Sequence, residues 1–94
     1  MNLQTDTNIK IDESIDSGVD LSSRVLLFND DIHTFDEVIN QLIKAVNCTF
    51  EEARLLAFEV HVKGKAVVFS GSLNQCLKVT SILEEIALHT QIIT

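Results

Sequence analysis

The sequence has no proline, tryptophan or tyrosine, and only one methionine, three glycines and two cysteines. Cys48 and Cys76 are too few for a disulfide scaffold and lack metal-ligand spacing. Both stand among mostly apolar residues, which fits reduced thiols and a cytoplasmic location. Gly18, Gly64 and Gly71 are isolated, so there is no glycine-rich phosphate loop. Basic residues are scarce, 7 against 14 acidic ones. That balance argues against nucleic acid, whose affinity rests on neutralised phosphates, and permits a cationic partner. No apolar run reaches the length of a membrane span. The N-terminus carries no basic segment followed by an apolar one, so a secretory signal is not expected.

What is present suits one small globular unit. Of 94 residues, 46% are hydrophobic and 22% charged, a composition that supports a single core. The charge is uneven. Residues 1–23 hold Asp6, Asp12, Glu13, Asp16 and Asp20 against Lys10 alone, and their apolar residues follow no sustained period. They read as a flexible acidic tail, with the folded unit spanning 24–94.

Within that unit, Arg24-Val25-Leu26-Leu27-Phe28 predicts a strand buried on both faces, ended by the turn-forming cluster Asn29-Asp30-Asp31. Thr34 with Glu37, Thr49 with Glu52, and Ser72 with Gln75 are three capping boxes, each opening a helix. The first helix carries Phe35, Val38, Ile39, Leu42, Ile43 and Val46 on one face. The second carries Ala53, Leu56, Ala57 and Val60, with Leu55 and Phe58 widening the stripe, and Gly64 ends it. Lys65 to Phe69 predicts a second strand, again of the fully buried type. The third helix turns Cys76, Val79, Ile82, Leu83, Ile86 and Ala87 inward. Thr90–Thr94 is a last β-prone segment. The order β-α-α-β-α-β, with three apolar-faced helices and a small sheet, implies an α+β domain with helices on one sheet face.

The polar residues with chemical potential are Asn29, Asp30 and Asp31 at a strand end, His33 just after, and His61 at the last turn of the second helix. If the strand end and helix end meet, they offer an amide oxygen, carboxylates and an imidazole, a set of acceptors suited to an ammonium group. Other readings remain open at this level. The cluster also reads as a plain polar turn with a helix-terminal histidine. Asp30, Asp31, His33 and His61 could instead hold a divalent metal, as in a metal-dependent hydrolase, although no compact ligand motif is present. The two cysteines read as core or boundary residues and not as nucleophiles.

Val25-Leu26-Leu27-Phe28-Asn29-Asp30-Asp31, followed by Glu59-Val60-His61-Val62-Lys63-Gly64-Lys65-Ala66, resembles the ClpS family, adaptors of the bacterial Clp protease. The family pattern is an apolar strand ending in N-D-D, a helix pair, then V-H-x-x-G-K-A, and the likeness covers residues 24–94. The resemblance implies a three-stranded antiparallel sheet with three helices packed on it. It also implies a non-enzymatic, cofactor-free adaptor that binds proteins with a bulky hydrophobic first residue (an N-degron). Such an adaptor delivers them to a Clp AAA+ unfoldase of ClpA or ClpC type for degradation by ClpP. By the same resemblance, Asn29, Asp30, Asp31 and His61 hold the substrate's α-amino group. Phe35, Val38, Leu42, Ala57 and Val60 line the pocket, and Lys78 contributes to unfoldase docking. Phe35 and Ala57 stand where the family often has methionine, and Leu73 near an acidic family position. Phe35 and Ala57 motivate an alternative: a divergent paralogue that modulates the unfoldase without binding degrons.

Overall fold

A computed structural model describes residues 20–94. The tail expected over 1–23 lies almost wholly outside the described residues. Strand β1 (Ser23–Phe28) begins one residue before the expected boundary, and Ser23 is already buried. Helices α1 (Phe35–Val46) and α2 (Phe50–Lys63) follow, then strand β2 (Lys65–Gly71), helix α3 (Leu73–Leu83), a 3-10 turn at Glu84–Ile86, and strand β3 (Thr90–Ile93).

Each helix starts where its capping box places it. The Thr34, Thr49 and Ser72 hydroxyls accept from the backbone N–H groups of Glu37, Glu52 and Gln75. The side chains of those three residues accept in return from the cap N–H groups. Two orphan N–H donors are thereby satisfied at each helix start, worth about 1 kcal/mol per cap. The stops are equally local. Asn47 (φ 56°) and Gly64 (φ 86°) adopt the left-handed conformation that ends α1 and α2.

The sheet order is β2-β1-β3, antiparallel throughout. Its inner face packs on the helices, where Val25, Leu27, Ile39, Leu42, Cys76 and Leu83 are almost completely buried. Burial of such side chains contributes ~1.5–3 kcal/mol apiece before the cost of ordering the chain. Ala53 and Ala57, one turn apart on α2, are buried small residues that leave room for close packing.

Three expectations need correction. The strands are not buried on both faces: Val25 and Leu27 point inward while Arg24, Leu26 and Phe28 face outward, and Val67 is partly exposed. In a three-stranded sheet with helices on one side, alternation must leave the other side open. The ladder shifts by one residue opposite Val25 and Leu26, so Val68 is a bulge. Second, Leu55 and Phe58 do not widen the buried stripe of α2 and are exposed. At about 100° per residue they fall opposite Ala53, Leu56, Ala57 and Val60. Third, α3 ends at Leu83. Ala87 is exposed with φ 65°, capping the 3-10 turn, and Leu88 takes the buried place instead.

Candidate functional site

Strand β1 is central, so its last residues are gripped from both sides. The Phe28 N–H donates to the His89 carbonyl at 3.0 Å on the β3 side, and the Asn29 N–H donates to the Gly64 carbonyl at 2.9 Å on the β2 side. The second bond joins the strand end to the C-terminus of α2. This brings Asn29, Asp30 and Asp31 to the same cavity as His61, a hollow of about 500 Å³.

One wall of the cavity is polar: Asn29, Asp30, Asp31, His33 and His61. The inner wall is apolar, made by Leu27, Val38, Ala57, Val60 and Leu88. Phe35 from α1 and Phe58 from α2 are aromatic members of the lining that remain half-exposed. Among the pocket residues expected from sequence, Phe35, Val38, Ala57 and Val60 line the hollow. Leu42 does not. It is fully buried, one helical turn beyond Val38 on the same face, and belongs to the closed core. Lys78 is exposed on α3 and does not line the cavity.

Leu27, Phe28, Thr34, Phe58 and Leu88 also line the hollow, beyond the residues the sequence pattern points to. Leu27 was legible only as a strand residue. Phe58 reads in sequence only as a widening of the apolar stripe of α2. Leu88 lies in an irregular segment, where no periodicity marks the inward direction.

The polar wall is organised by His33. Asp30 Oδ1 accepts from the backbone N–H groups of Ile32 (2.9 Å) and His33 (2.8 Å), closing a tight turn. Asp30 Oδ2 lies 2.7 Å from His33 Nδ1, and His33 Nε2 meets the carbonyl oxygen of Ile86. Both ring nitrogens therefore face acceptors, an arrangement satisfied by the imidazolium, which donates from both. The Asp30 bond, followed by that to Ile86, raises the His33 pKa above its ordinary value. The His33 backbone N–H leads the contacts that lower that of Asp30. His33, a possible metal ligand by residue type, has both ring nitrogens engaged. Among the described residues no three His, Cys, Asp or Glu side chains form a metal-binding group.

The arrangement suits a cation. Asp30 is an ionised carboxylate with three of roughly four acceptor positions filled, which leaves one for a ligand. Asp31 adds a second carboxylate, exposed at the cavity mouth. Among the described residues the Asn29 amide and the His61 ring have no side-chain hydrogen-bond partner. His61 sits in the last turn of α2, where the helix dipole presents partial negative charge. An ammonium group held there with an apolar side chain pointing inward would satisfy both walls. Cys48 and Cys76 are free thiols outside this cavity, and burial pushes both pKa values up, away from nucleophilic thiolate.

Comparison with known proteins places this architecture. The family model of the ATP-dependent Clp protease adaptor protein ClpS matches residues 21–91. Human E3 ubiquitin-protein ligase UBR2 is 41% identical over 58 residues, which is 62% of this chain and 3% of that protein. Drosophila melanogaster E3 ubiquitin-protein ligase UBR1 is 33% identical over 70 residues, 73% of this chain and 4% of that protein. The chain thus spans a small fraction of the length of these relatives. Among solved structures, Agrobacterium tumefaciens ClpS2 bound to L-phenylalaninamide superposes with a TM-score of 0.67 at 22% identity. That match covers 76% of this chain and 93% of the other. No helix among the described residues is long and apolar enough to cross a membrane.

Proposed function

The chain belongs to the ClpS adaptor family, and on that premise we propose that its cavity receives the first residue of a protein substrate. The α-ammonium lies against Asn29, Asp30, Asp31 and His61, and a bulky hydrophobic side chain enters between Val38, Ala57 and Val60. The family is one of adaptors, and the role is capture and delivery without catalysis. One observation carries the reading: a carboxylate-rich wall and an apolar wall share one hollow. L-phenylalaninamide, the ligand of the ClpS2 structure, has that same pairing of a free α-amino group with a bulky apolar side chain.

The energetics favour free N-termini over internal residues. Hydrogen bonds to a charged group contribute ~1.5–3 kcal/mol, and burying the side chain adds a similar amount. An internal leucine has no ammonium and leaves the acceptors unpaired. The test is a panel of peptides beginning with Leu, Phe, Tyr or Trp, each free and N-acetylated. Acetylation is expected to weaken binding by roughly 10- to 100-fold, and Asp30→Ala to a comparable degree. Equal affinity for free and acetylated peptides overturns amine recognition.

Delivery to a ClpA- or ClpC-type unfoldase, with exposed Lys78 on the docking face, is the fuller form of the proposal. It predicts that the protein accelerates degradation of a Leu-initiated reporter by unfoldase and peptidase, and that Lys78→Ala reduces the effect. A second reading keeps the site and changes the recipient. The E3 ubiquitin-protein ligase relatives support handover to ubiquitin-transfer machinery, and a reporter bound but not degraded by the Clp pair would favour it.

A further inference from the structure

His33 lines the cavity, yet it is not among the residues assigned to the amine. Its side chain is nearly buried, and both ring nitrogens are committed, Nδ1 to Asp30 Oδ2 at 2.7 Å and Nε2 to the Ile86 carbonyl. The two partners belong to opposite parts of the site. Asp30 is a carboxylate of the polar wall. Ile86 closes the 3-10 turn, and two residues further on Leu88 is buried in the apolar wall. The carbonyl of His89, next in the chain, accepts from the Phe28 N–H at 3.0 Å. Leu88 is therefore pinned on both sides, by His33 before it and by the end of β1 after it. A neutral imidazole has one N–H and one lone pair. Whichever nitrogen loses its proton, a lone pair then faces an acceptor oxygen, and one of the two bonds becomes a repulsion.

We propose that His33 is a positioning residue of the substrate site: its doubly bonded imidazolium sets the amine-binding carboxylate and the pocket floor relative to one another, so that capture of a free N-terminus weakens as the ring loses its proton. The inference rests on the first-residue reading above and deepens it. The ring acts through Asp30 and Leu88. With a proton on each nitrogen, Asp30 Oδ2 is fixed from one side and keeps its remaining acceptor position for the ammonium, while Leu88 is held in the apolar wall. Losing the Nδ1 proton frees the carboxylate; losing the Nε2 proton frees the segment of Leu88. Either loss leaves ordering to be completed when the ligand binds, which lowers affinity. The imidazolium also repels an ammonium, an effect of opposite sign. Negative charge outweighs it, because Asp30 and Asp31 line the cavity and Glu37 of α1 adds a third carboxylate near the ring. Glu84 and Glu85, on the turn that ends at Ile86, are engaged by Thr90 and by Lys44 and Gln41. The Asp30 and Ile86 bonds keep the ring charged beyond the pH at which a free histidine is half neutral. Capture is thus strongest below that pH and fades as pH rises through the raised value.

The experiment measures, by fluorescence anisotropy, binding of a dye-labelled peptide beginning with Phe to the full chain and to its His33→Gln variant, from about pH 5.5 to 9. An N-acetylated peptide runs alongside. Glutamine is uncharged at any pH and donates from a single nitrogen, so it cannot span both acceptors. The peptide amine and His61 are common to both series and cancel in the ratio of the two affinities. The wild type is expected to bind roughly 5- to 10-fold more tightly than the variant at the acidic end, with the ratio falling toward one as pH rises. A ratio constant with pH overturns the proposal. Tighter binding by the variant at the acidic end also overturns it, because charge repulsion then dominates. A second measurement needs no variant. By linkage, a proton that favours the peptide is favoured by it, so the NMR titration midpoint of His33 should move up by roughly 0.7–1 pH unit when the Phe-initiated peptide is bound. A midpoint that stays or falls, while the free peptide still outbinds the acetylated one, refutes the proposal and leaves the first-residue reading standing. Equal binding of free and acetylated peptides overturns that reading, and the proposal with it.

Discussion

Replacing His33 tests the organisation of the polar wall more directly than replacing any presumed ligand contact. The side chain is 9% exposed and its partner Asp30 23%, so water partly screens the pair. In His33→Ala the two backbone bonds to Asp30 Oδ1 can persist, because they come from N–H groups. What disappears is the 2.7 Å contact to Asp30 Oδ2 and the contact to the Ile86 carbonyl, which tethers the turn to the segment after α3. Charge-assisted bonds at a partly screened site lie at the low end of their range, so the combined loss is ~2–3 kcal/mol. For a domain of this size that lowers Tm by roughly 10–20 °C.

The pH dependence gives the sharper criterion. The folded-state pKa of His33 is raised above its ordinary 6.5, so the contribution of the imidazolium is complete below that value and is lost as pH rises through the raised one. Asp30 is shifted the other way, so its contribution holds above 3.8 and fades as pH falls through the lowered value. Urea unfolding of the wild type and His33→Ala between pH 5.5 and 9, a range of about 3.5 units chosen to bracket an ordinary histidine, should show the largest stability gap at the acidic end. The gap should narrow as pH rises. A gap that is constant with pH would show that His33 contributes packing alone, and no gap at all would refute the tether.

Two further substitutions separate core from site and backbone from contact. Leu42→Ala should cost ~2–5 kcal/mol by leaving a core cavity, seen as a lowered urea midpoint, while the ranking of Leu-, Phe- and Trp-initiated peptides stays as it was. A changed ranking would return Leu42 to the pocket wall. Gly64→Ala should cost about 1–2 kcal/mol through backbone strain alone. Its φ is 86° and an added Cβ would meet no atom within 4 Å. A much larger loss in the thermal melt would mean that the Asn29–Gly64 bond fails as well.

Much of this protein is written in residues near one another in the chain. The three capping boxes reach across three residues, and each helix begins where its box lies. The Asn29-Asp30-Asp31 cluster ends a strand because the Asp30 side chain closes a turn on its immediate successors. Gly64 ends α2 because it takes the left-handed conformation without penalty. These are short-range hydrogen bonds and backbone preferences, and a sequence displays them directly.

The tertiary structure decided what such rules do not reach. The Asn29–Gly64 bond spans the whole helix pair, and the His33–Ile86 contact joins residues 53 apart. Together they turn scattered polar residues into one wall. Periodicity marked Leu42 and Phe58 as apolar-face residues and passed over Leu88, but burial depends on what packs opposite. Leu42 went to the core, Leu88 to the cavity floor, and Phe58 was left on the surface because no other element covers that side of α2.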